Sequence, residues 1–389
     1  MKINHRRSSD TVIATNGSPP STARRAVLAA SLGLAPLLLF GLGDDVATSL
    51  PQHRAEPLSV RVDATVEIRP ENSAMLELWI PVPSSDESQE VQLDALQVDV
   101  EGHPTNWELT TDGYGNHFVH LRGSPPVELL TIRYSVPVLR RSSGYSGSEP
   151  LDQVIESTTG SGGATIDYPY DGSVEEALAS IEHAASIEQL VGTVLDRILA
   201  GVPGAGDNLR RAVMLNEVLR RNGQYIKTGA YGQGNSTWFC LTGQGNCTDF
   251  HFTYLDIAER IDLPARLRVG LPLSPNPEEP APQSGDIPGY HCWVYLDGDL
   301  GFGIDPSWEA RLEAPTGTYF GRPFNDRIKL TEGADLSLSP PIQGEPLPYL
   351  FEAYAESDGV PIERIYGAAD ASSIAGPYVR TTYSFTRID

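Results

Sequence analysis

Cysteine is scarce in this chain of 389 residues. The three present, Cys240, Cys247 and Cys292, are too few for a disulfide framework, and their odd number leaves at least one thiol unpaired. Positive charge is scarce too: 28 Lys and Arg face 51 Asp and Glu, for a net charge of −23. Five of those basic residues and one of the acids fall in the first 25 positions, so the remainder holds 23 basic and 50 acidic residues, or −27. Such a surface repels phosphate backbones and anionic headgroups, which excludes nucleic acid and polybasic membrane docking as partners. Long apolar runs are confined to Ala26–Gly43, and nothing after it is apolar enough to span a bilayer. What is there, 40% hydrophobic and 20% charged, suffices for more than one folded core and excludes a wholly disordered or fibrous chain.

The polar, basic leader ends in Arg24-Arg25, and the 18-residue apolar run that follows is closed by Asp44-Asp45. Residues 1–50 therefore read as an export signal or an N-terminal membrane anchor. The paired arginines resemble a twin-arginine signal but lack its usual flanking residues. No small-x-small cleavage site is visible, so cleavage and anchoring both stand, and the expected location is periplasmic, secreted or anchored at the membrane.

Residues 51–140 alternate in short runs, Val60–Ile68, Met75–Val82 and Leu129–Val136, separated by Pro, Gly, Asn and Asp clusters. That spacing predicts an antiparallel β-sandwich. Residues 141–173 are rich in Ser and Gly and read as a linker. From 174 to 310 the periodicity changes: helices are expected over Val174–Ala200, Asp207–Arg221 and Cys247–Arg260, then strands at Ala265–Leu273, Tyr290–Leu296 and Phe302–Asp305. Helices followed by an antiparallel sheet give an α+β domain. Residues 311–389 form a Pro-rich extension in which only Tyr378–Ile388 alternates, as a sheet edge would.

The chemistry concentrates where a glycine-rich loop, Gly243-Gln244-Gly245, runs into a helix. Asn246 is a good N-cap and Asp249 can answer it as a capping box, which puts Cys247 in the first helical turn. Free N–H groups and the positive helix end stabilise a thiolate there. A thiol nucleophile needs a base, and an imidazole base needs an orienting group. His291 lies on a strand, and a hairpin symmetric about Gly298 opposes residues whose numbers sum to 596, which pairs His291 with Asp305. The product is a Cys-His-Asp triad that needs no cofactor or metal. A metal reading would use Cys240, Cys247, His251, His291 and Cys292. The seven-residue step from Cys240 to Cys247 fits no compact zinc spacing, and His291 and Cys292, adjacent on a strand, should point opposite ways. A Cys240–Cys292 disulfide would spare Cys247.

These residues resemble the transglutaminase-like superfamily, in its exported or membrane-associated bacterial branch. The likeness runs through Gly245-Asn246-Cys247-Thr248-Asp249-Phe250-His251, Leu263-Pro264-Ala265-Arg266, Gly270-Leu271-Pro272, Gly289-Tyr290-His291-Cys292-Trp293 and Asp305-Pro306-Ser307. The resemblance implies a papain-like or transglutaminase-like catalytic domain behind a β-sandwich, with Cys247 as nucleophile, His291 as base and Asp305 as its orienting group. It implies thiol-dependent acyl transfer on protein or peptide substrates, by hydrolysis or by cross-linking. Trp238 and Gln244, ahead of Cys247, are candidates for a second oxyanion donor or a cleft wall. The Pro-rich stretch Ser274–Gly289 is either a stiff flap over the cleft or a surface insertion, and the acidic surface would favour cationic or neutral substrates. The competing class is a catalytically silent scaffold that uses both domains to bind an envelope partner.

Overall fold

Period-two alternation becomes sheet where it is expected. The computed structural model describes residues 56–388 except 71–74, 102–105, 125–128, 161–164, 170–186, 203–206, 228–231, 233, 275–278, 323–324 and 368–375. The leader and its apolar run lie outside the described residues. Strand β1 (Leu58–Arg69) turns Leu58, Val60, Val62, Ala64, Val66 and Ile68 inward. It lies between β7 (Leu130–Arg140) and β18 (Tyr378–Arg387), antiparallel to both. Beyond β7 come β3 (Gln89–Val91) and β4 (Gln97–Glu101); beyond β18 come β11 (Ser284–Ile287) and the parallel β17 (Glu363–Tyr366). The facing sheet runs β16 (Val360–Pro361), β15 (Tyr354–Ser357), β2 (Leu76–Val82), β6 (His117–Gly123), β5 (Trp107–Thr111).

The sandwich is therefore not confined to residues 51–140. Strands from the trailing segment supply part of both sheets, and β18 lies inside its sheet rather than at the edge. Residues 284–287, expected within a flap or insertion, pair with β18 from Ser284↔Thr386 to Ile287↔Tyr383. The segment read as a linker contains a helix, α1 (Leu151–Thr159), whose Leu151, Val154 and Ile155 are buried in the helical core.

That core belongs to an α+β layer. Helices α2 (Ile187–Ala200) and α3 (Asn208–Asn222) lead into it; of the helix expected over 174–200, residues 174–186 lie outside the described residues. Asp207 caps α3 by accepting from Arg210 N at 2.8 Å. A parallel pair, β8 (Gln224–Tyr225) with β9 (Gln244–Gly245), brackets α4 (Thr237–Thr242). Helix α5 (Cys247–Arg260) packs on an antiparallel sheet of order β13 (Phe302–Ile304), β12 (His291–Leu296), β10 (Ala265–Pro272), β14 (Arg327–Glu332). Helix α6 (Pro306–Arg311) follows β13 directly.

Strand β14 has no counterpart in the sequence reading. Its residues Arg327 to Thr331 alternate polar and apolar, but the run is short, and all six residues are buried because the polar face meets charged partners instead of water. Its outer backbone edge is capped by amide side chains of the sandwich, a way of blunting an exposed edge. Gln89 donates to Lys329 O and accepts from Lys329 N, each at 2.9 Å. Asn116 donates to Glu332 O at 2.8 Å and accepts from Glu332 N at 2.7 Å. A buried ionic cluster reinforces the join: Arg268 donates to Glu332 at 2.8 Å, and Lys329 lies 3.0 Å from Asp86. The sandwich thus holds the α+β layer at the strand that carries Arg327.

Candidate active site

Gly243 closes α4 in the left-handed region, at φ 68°, where glycine carries no Cβ penalty. Two residues later the chain must pass close to the helix it is about to start. A Cβ on Gly245 would lie 2.5 Å from the Asp249 Cβ. Asn246 then caps α5: its Oδ1 accepts from Thr248 N at 2.9 Å and Asp249 N at 3.4 Å, and Asp249 accepts from Asn246 N at 2.8 Å. This reciprocal cap fixes Cys247 in the first turn, 3% exposed. Tyr290, Tyr349 and Phe351 stack beside it, with Tyr290 and Phe351 centroids 4.0 Å apart, and Asn246 donates to the Tyr290 hydroxyl at 3.4 Å.

His291 opens β12. Its Nε2 hydrogen-bonds Asp305 Oδ2 at 2.6 Å, and its Nδ1 accepts from the Trp308 indole N–H at 3.1 Å. The ring also acts on the Cys247 thiol, each group favouring the other's charged form. The hairpin register differs from the symmetric one: Val294 pairs with Ile304 and Leu296 with Phe302, a sum of 598. Gly298 and Gly301 both take positive φ, 66° and 64°, and lengthen the turn. Asp305 is thus diagonal to His291, not directly opposed, and the contact survives because a two-residue slip keeps side chains on the same face.

Asp305 also serves as the N-cap of α6, ahead of Pro306 at the first helical position. Its Oδ1 accepts from Ser307 Oγ at 2.7 Å and Trp308 N at 3.0 Å, while Oδ2 accepts from Arg327 Nη1 at 2.8 Å as well as from His291. Burial opposes its ionisation, yet the His291 charge, the nearby His251 imidazole, the hydrogen bond from His291 and the Arg327 guanidinium hold its carboxyl well below the usual range. Burial likewise opposes the Cys247 thiolate, but hydrogen bonds from Cys292 and His291 and the imidazole charges bring its pKa well below that of an ordinary thiol. Burial pushes His291 down; Asp305 and Cys247 outweigh it, and the net shift is upward. Together these shifts favour a thiolate–imidazolium pair.

The three cysteines are free and buried. The Cys240–Cys292 bridge is not formed: Cys240 lies among the helices, and the Cys292 sulfur is 3.3 Å from His251 Nδ1. His291 and Cys292, expected on opposite faces, both favour the Cys247 thiolate. Among the described residues no group of three or more His, Cys, Asp or Glu side chains is arranged to hold a metal ion.

Trp238 is buried, and its indole N–H has no hydrogen-bond partner among the described residues. Gln244 is directed elsewhere: its amide donates to Gln224 Oε1 at 3.1 Å. Arg327, Trp308 and the Tyr290–Tyr349–Phe351 wall are given no role at the site by the sequence reading. Asp305-Pro306 does carry the signature of a capped helix start, which would have placed Trp308 one turn beyond the carboxylate. Nothing in local spacing points to Arg327.

A family profile described as the transglutaminase-like superfamily matches residues 196–299, a span holding Cys247 and His291 and ending before Asp305. No curated protein matches the chain. A solved structure of a candidate cysteine protease from Cytophaga hutchinsonii is 12% identical, with 86% of this chain and 98% of that one covered at a TM-score of 0.47. The periplasmic domain of TgpA from Pseudomonas aeruginosa bound to ethylmercury is 16% identical, covering 67% of this chain and 93% of that one at a TM-score of 0.22. At these TM-scores the likenesses carry no assignment. The family profile and the Cys247 motif coincide, so residues 196–299 form a transglutaminase-like domain within the chain.

Proposed function

We propose that the protein is a thiol-dependent acyl-transfer enzyme, hydrolysing peptide or amide bonds through Cys247, His291 and Asp305. The observation that carries this reading is the 2.6 Å bond from His291 to Asp305, with the same imidazole against a cysteine at a capped helix start. The Cys247 thiolate attacks the carbonyl, and the Cys247 N–H with a second donor, for which the unpartnered indole of Trp238 is available, holds the oxyanion. Asp305 keeps the Nε2–H of His291 bound, so Nδ1 is the nitrogen left to carry the proton to the leaving amine, once it has released the Trp308 N–H from which it accepts in the resting site. Water then releases the acyl group; an incoming lysine-like amine would make the same intermediate a cross-link. Export remains part of the proposal, resting on the leader and apolar run; no helix among the described residues is long and apolar enough to cross a membrane.

The test is a peptide library incubated with wild type and with Cys247→Ser, scored by mass spectrometry for cleavage and for incorporation of an added primary amine. Cleavage that vanishes in Cys247→Ser supports hydrolysis, and amine adducts support cross-linking. A scaffold role wins if wild type does neither and its three thiols react equally slowly with iodoacetamide.

A further inference from the structure

We propose that Trp308 is a positioning residue that guards the base: its indole N–H occupies Nδ1 of His291 in the resting site and must withdraw before that nitrogen can take up a proton. The inference rests on the acyl-transfer reading above and deepens it. The partners of the ring fix where its proton sits. An indole nitrogen only donates, so the 3.1 Å bond from Trp308 Nε1 meets Nδ1 as a bare lone pair. The ionised Asp305 carboxylate only accepts, so the 2.6 Å bond from Nε2 holds the one proton of the ring. His291 is neutral in this arrangement, and the nitrogen that the chemistry needs is already taken.

Trp308 is held firmly in that place. Its backbone N–H donates to Asp305 Oδ1 at 3.0 Å, and its buried ring has the Arg327 guanidinium carbon 4.6 Å from its centroid and Tyr319 edge-on at 5.6 Å. One residue thus binds both the imidazole and the carboxylate that orients it. The groups around the imidazole pull in opposite directions. Burial disfavours its charged form, while Asp305 at the start of α6 and Cys247 of α5 favour it. His251 of α5 stands edge-on at 6.3 Å, Cys292 follows in β12, and Arg327 of β14 is shared by Asp305 and Asp326. The indole acts with burial, because a hydrogen bond to the neutral form disfavours the charged one. Imidazolium and indole cannot share Nδ1. When Cys247 passes its S–H proton to Nδ1, the sulfur keeps the electron pair that attacks the carbonyl, Nε2–H stays on Asp305, and the indole loses its acceptor. When Nδ1–H passes to the leaving amine as the acyl–nitrogen bond breaks, Nδ1 is bare again and takes the indole back. Trp308 therefore opposes the first transfer and assists the second.

The experiment titrates His291 by NMR in the full chain with isotope-labelled histidine, in a Cys247→Ala parent so that the imidazole titrates without the thiol. The chain has eight histidines, and the signal lost in His291→Gln identifies the right one. Two changes remove the donor: Trp308→Phe, which keeps an aromatic ring beside Arg327, and 3-benzothienylalanine at position 308, which keeps the bicyclic outline and puts sulfur in place of N–H. Urea midpoints establish that each chain is folded. Above its midpoint the parent should show Nδ1 without a proton in long-range nitrogen spectra. Each change should raise the pH of half-protonation by about one unit, the effect of losing one hydrogen bond to the neutral ring. No upward shift with benzothienylalanine, whatever Trp308→Phe does, or a neutral ring that carries its proton on Nδ1 in the parent, overturns the proposal. The readout needs no turnover, so a wild type that hydrolyses nothing refutes the acyl-transfer reading without touching the bond between indole and imidazole.

Discussion

Arg327→Met removes a guanidinium shared by two buried carboxylates. In the native chain Nη1 donates to Asp305 at 2.8 Å and Nε to Asp326 at 3.0 Å. The guanidinium carbon lies 5.3 Å from the Trp293 ring centroid and 4.6 Å from that of Trp308. Methionine keeps most of the stem volume and no charge. Breaking a buried pair from one side strands the other charge, at about 3–5 kcal/mol. The pH dependence identifies the cause. Burial raises the Asp305 carboxyl, but His291, His251 and Arg327 bring it well below its unfolded value. Its ionised form thus contributes stability that is complete above an unfolded pKa of about 3.9 and is lost as pH falls through the folded value. The variant has less of this contribution to lose. The gap between the two chains in urea unfolding should be about 3–5 kcal/mol at pH 7 and narrow progressively in acid. A gap below about 1 kcal/mol at pH 7, or an equal gap at both ends, would refute the electrostatic reasoning and leave only packing over the two indoles.

Gly270→Ala should be among the most damaging small changes in the sheet, because its Cβ would fall 1.9 Å from the Ile328 carbonyl oxygen, where the β10–β14 ladder shifts register. A loss of about 1–3 kcal/mol or more is expected in the urea midpoint, with cleavage falling as β14 and Arg327 move away; an unchanged midpoint would show that the strands can part without cost. Glu309, fully buried, accepts from Asn216, Gly317 N and Tyr319 N, and burial raises its pKa to about 8. A carboxyl raised in the fold makes stability fall as pH climbs from the unfolded value to that point. Glu309→Gln, with Asn216 turning its unpartnered Oδ1 toward the new amide, should therefore gain on wild type between pH 5 and about 8; parallel stability curves would refute it.

The parts legible in the sequence are those written by local rules. Cys247–Arg260 is a helix with the very ends read from Asn246 and Arg260, because the capping box is a contiguous signal. The inward face of β1 follows from alternation over twelve residues. What escaped depends on contacts distant in sequence. Strand β14 alternates over only five residues within a Pro-rich segment, and its polar face is buried by partners distant in sequence. Residues 284–287 have no apolar pattern and become a strand because β18 offers a partner. At the site, His291 and Asp305 were legible as a pair, though the register that delivers them was not, since it depends on two left-handed glycines in the turn. Arg327 and Tyr349 reach the site only through the packing of the trailing segment, and no spacing rule connects them to Cys247.

The place of β18 has a consequence for how the chain comes into being. Val60 pairs with Arg387 and Ile68 with Val379, so the sheet that begins the folded region cannot close until residues more than 300 positions later have emerged. Contacts of such separation make folding slow and leave apolar strand edges open during synthesis. Since the same sandwich caps β14 through Gln89 and Asn116, assembly of the catalytic layer waits on that closure. A chain clipped ahead of Tyr378 would carry Cys247, His291 and Asp305 without β18 and, on the function proposed above, without the frame that holds its nucleophile.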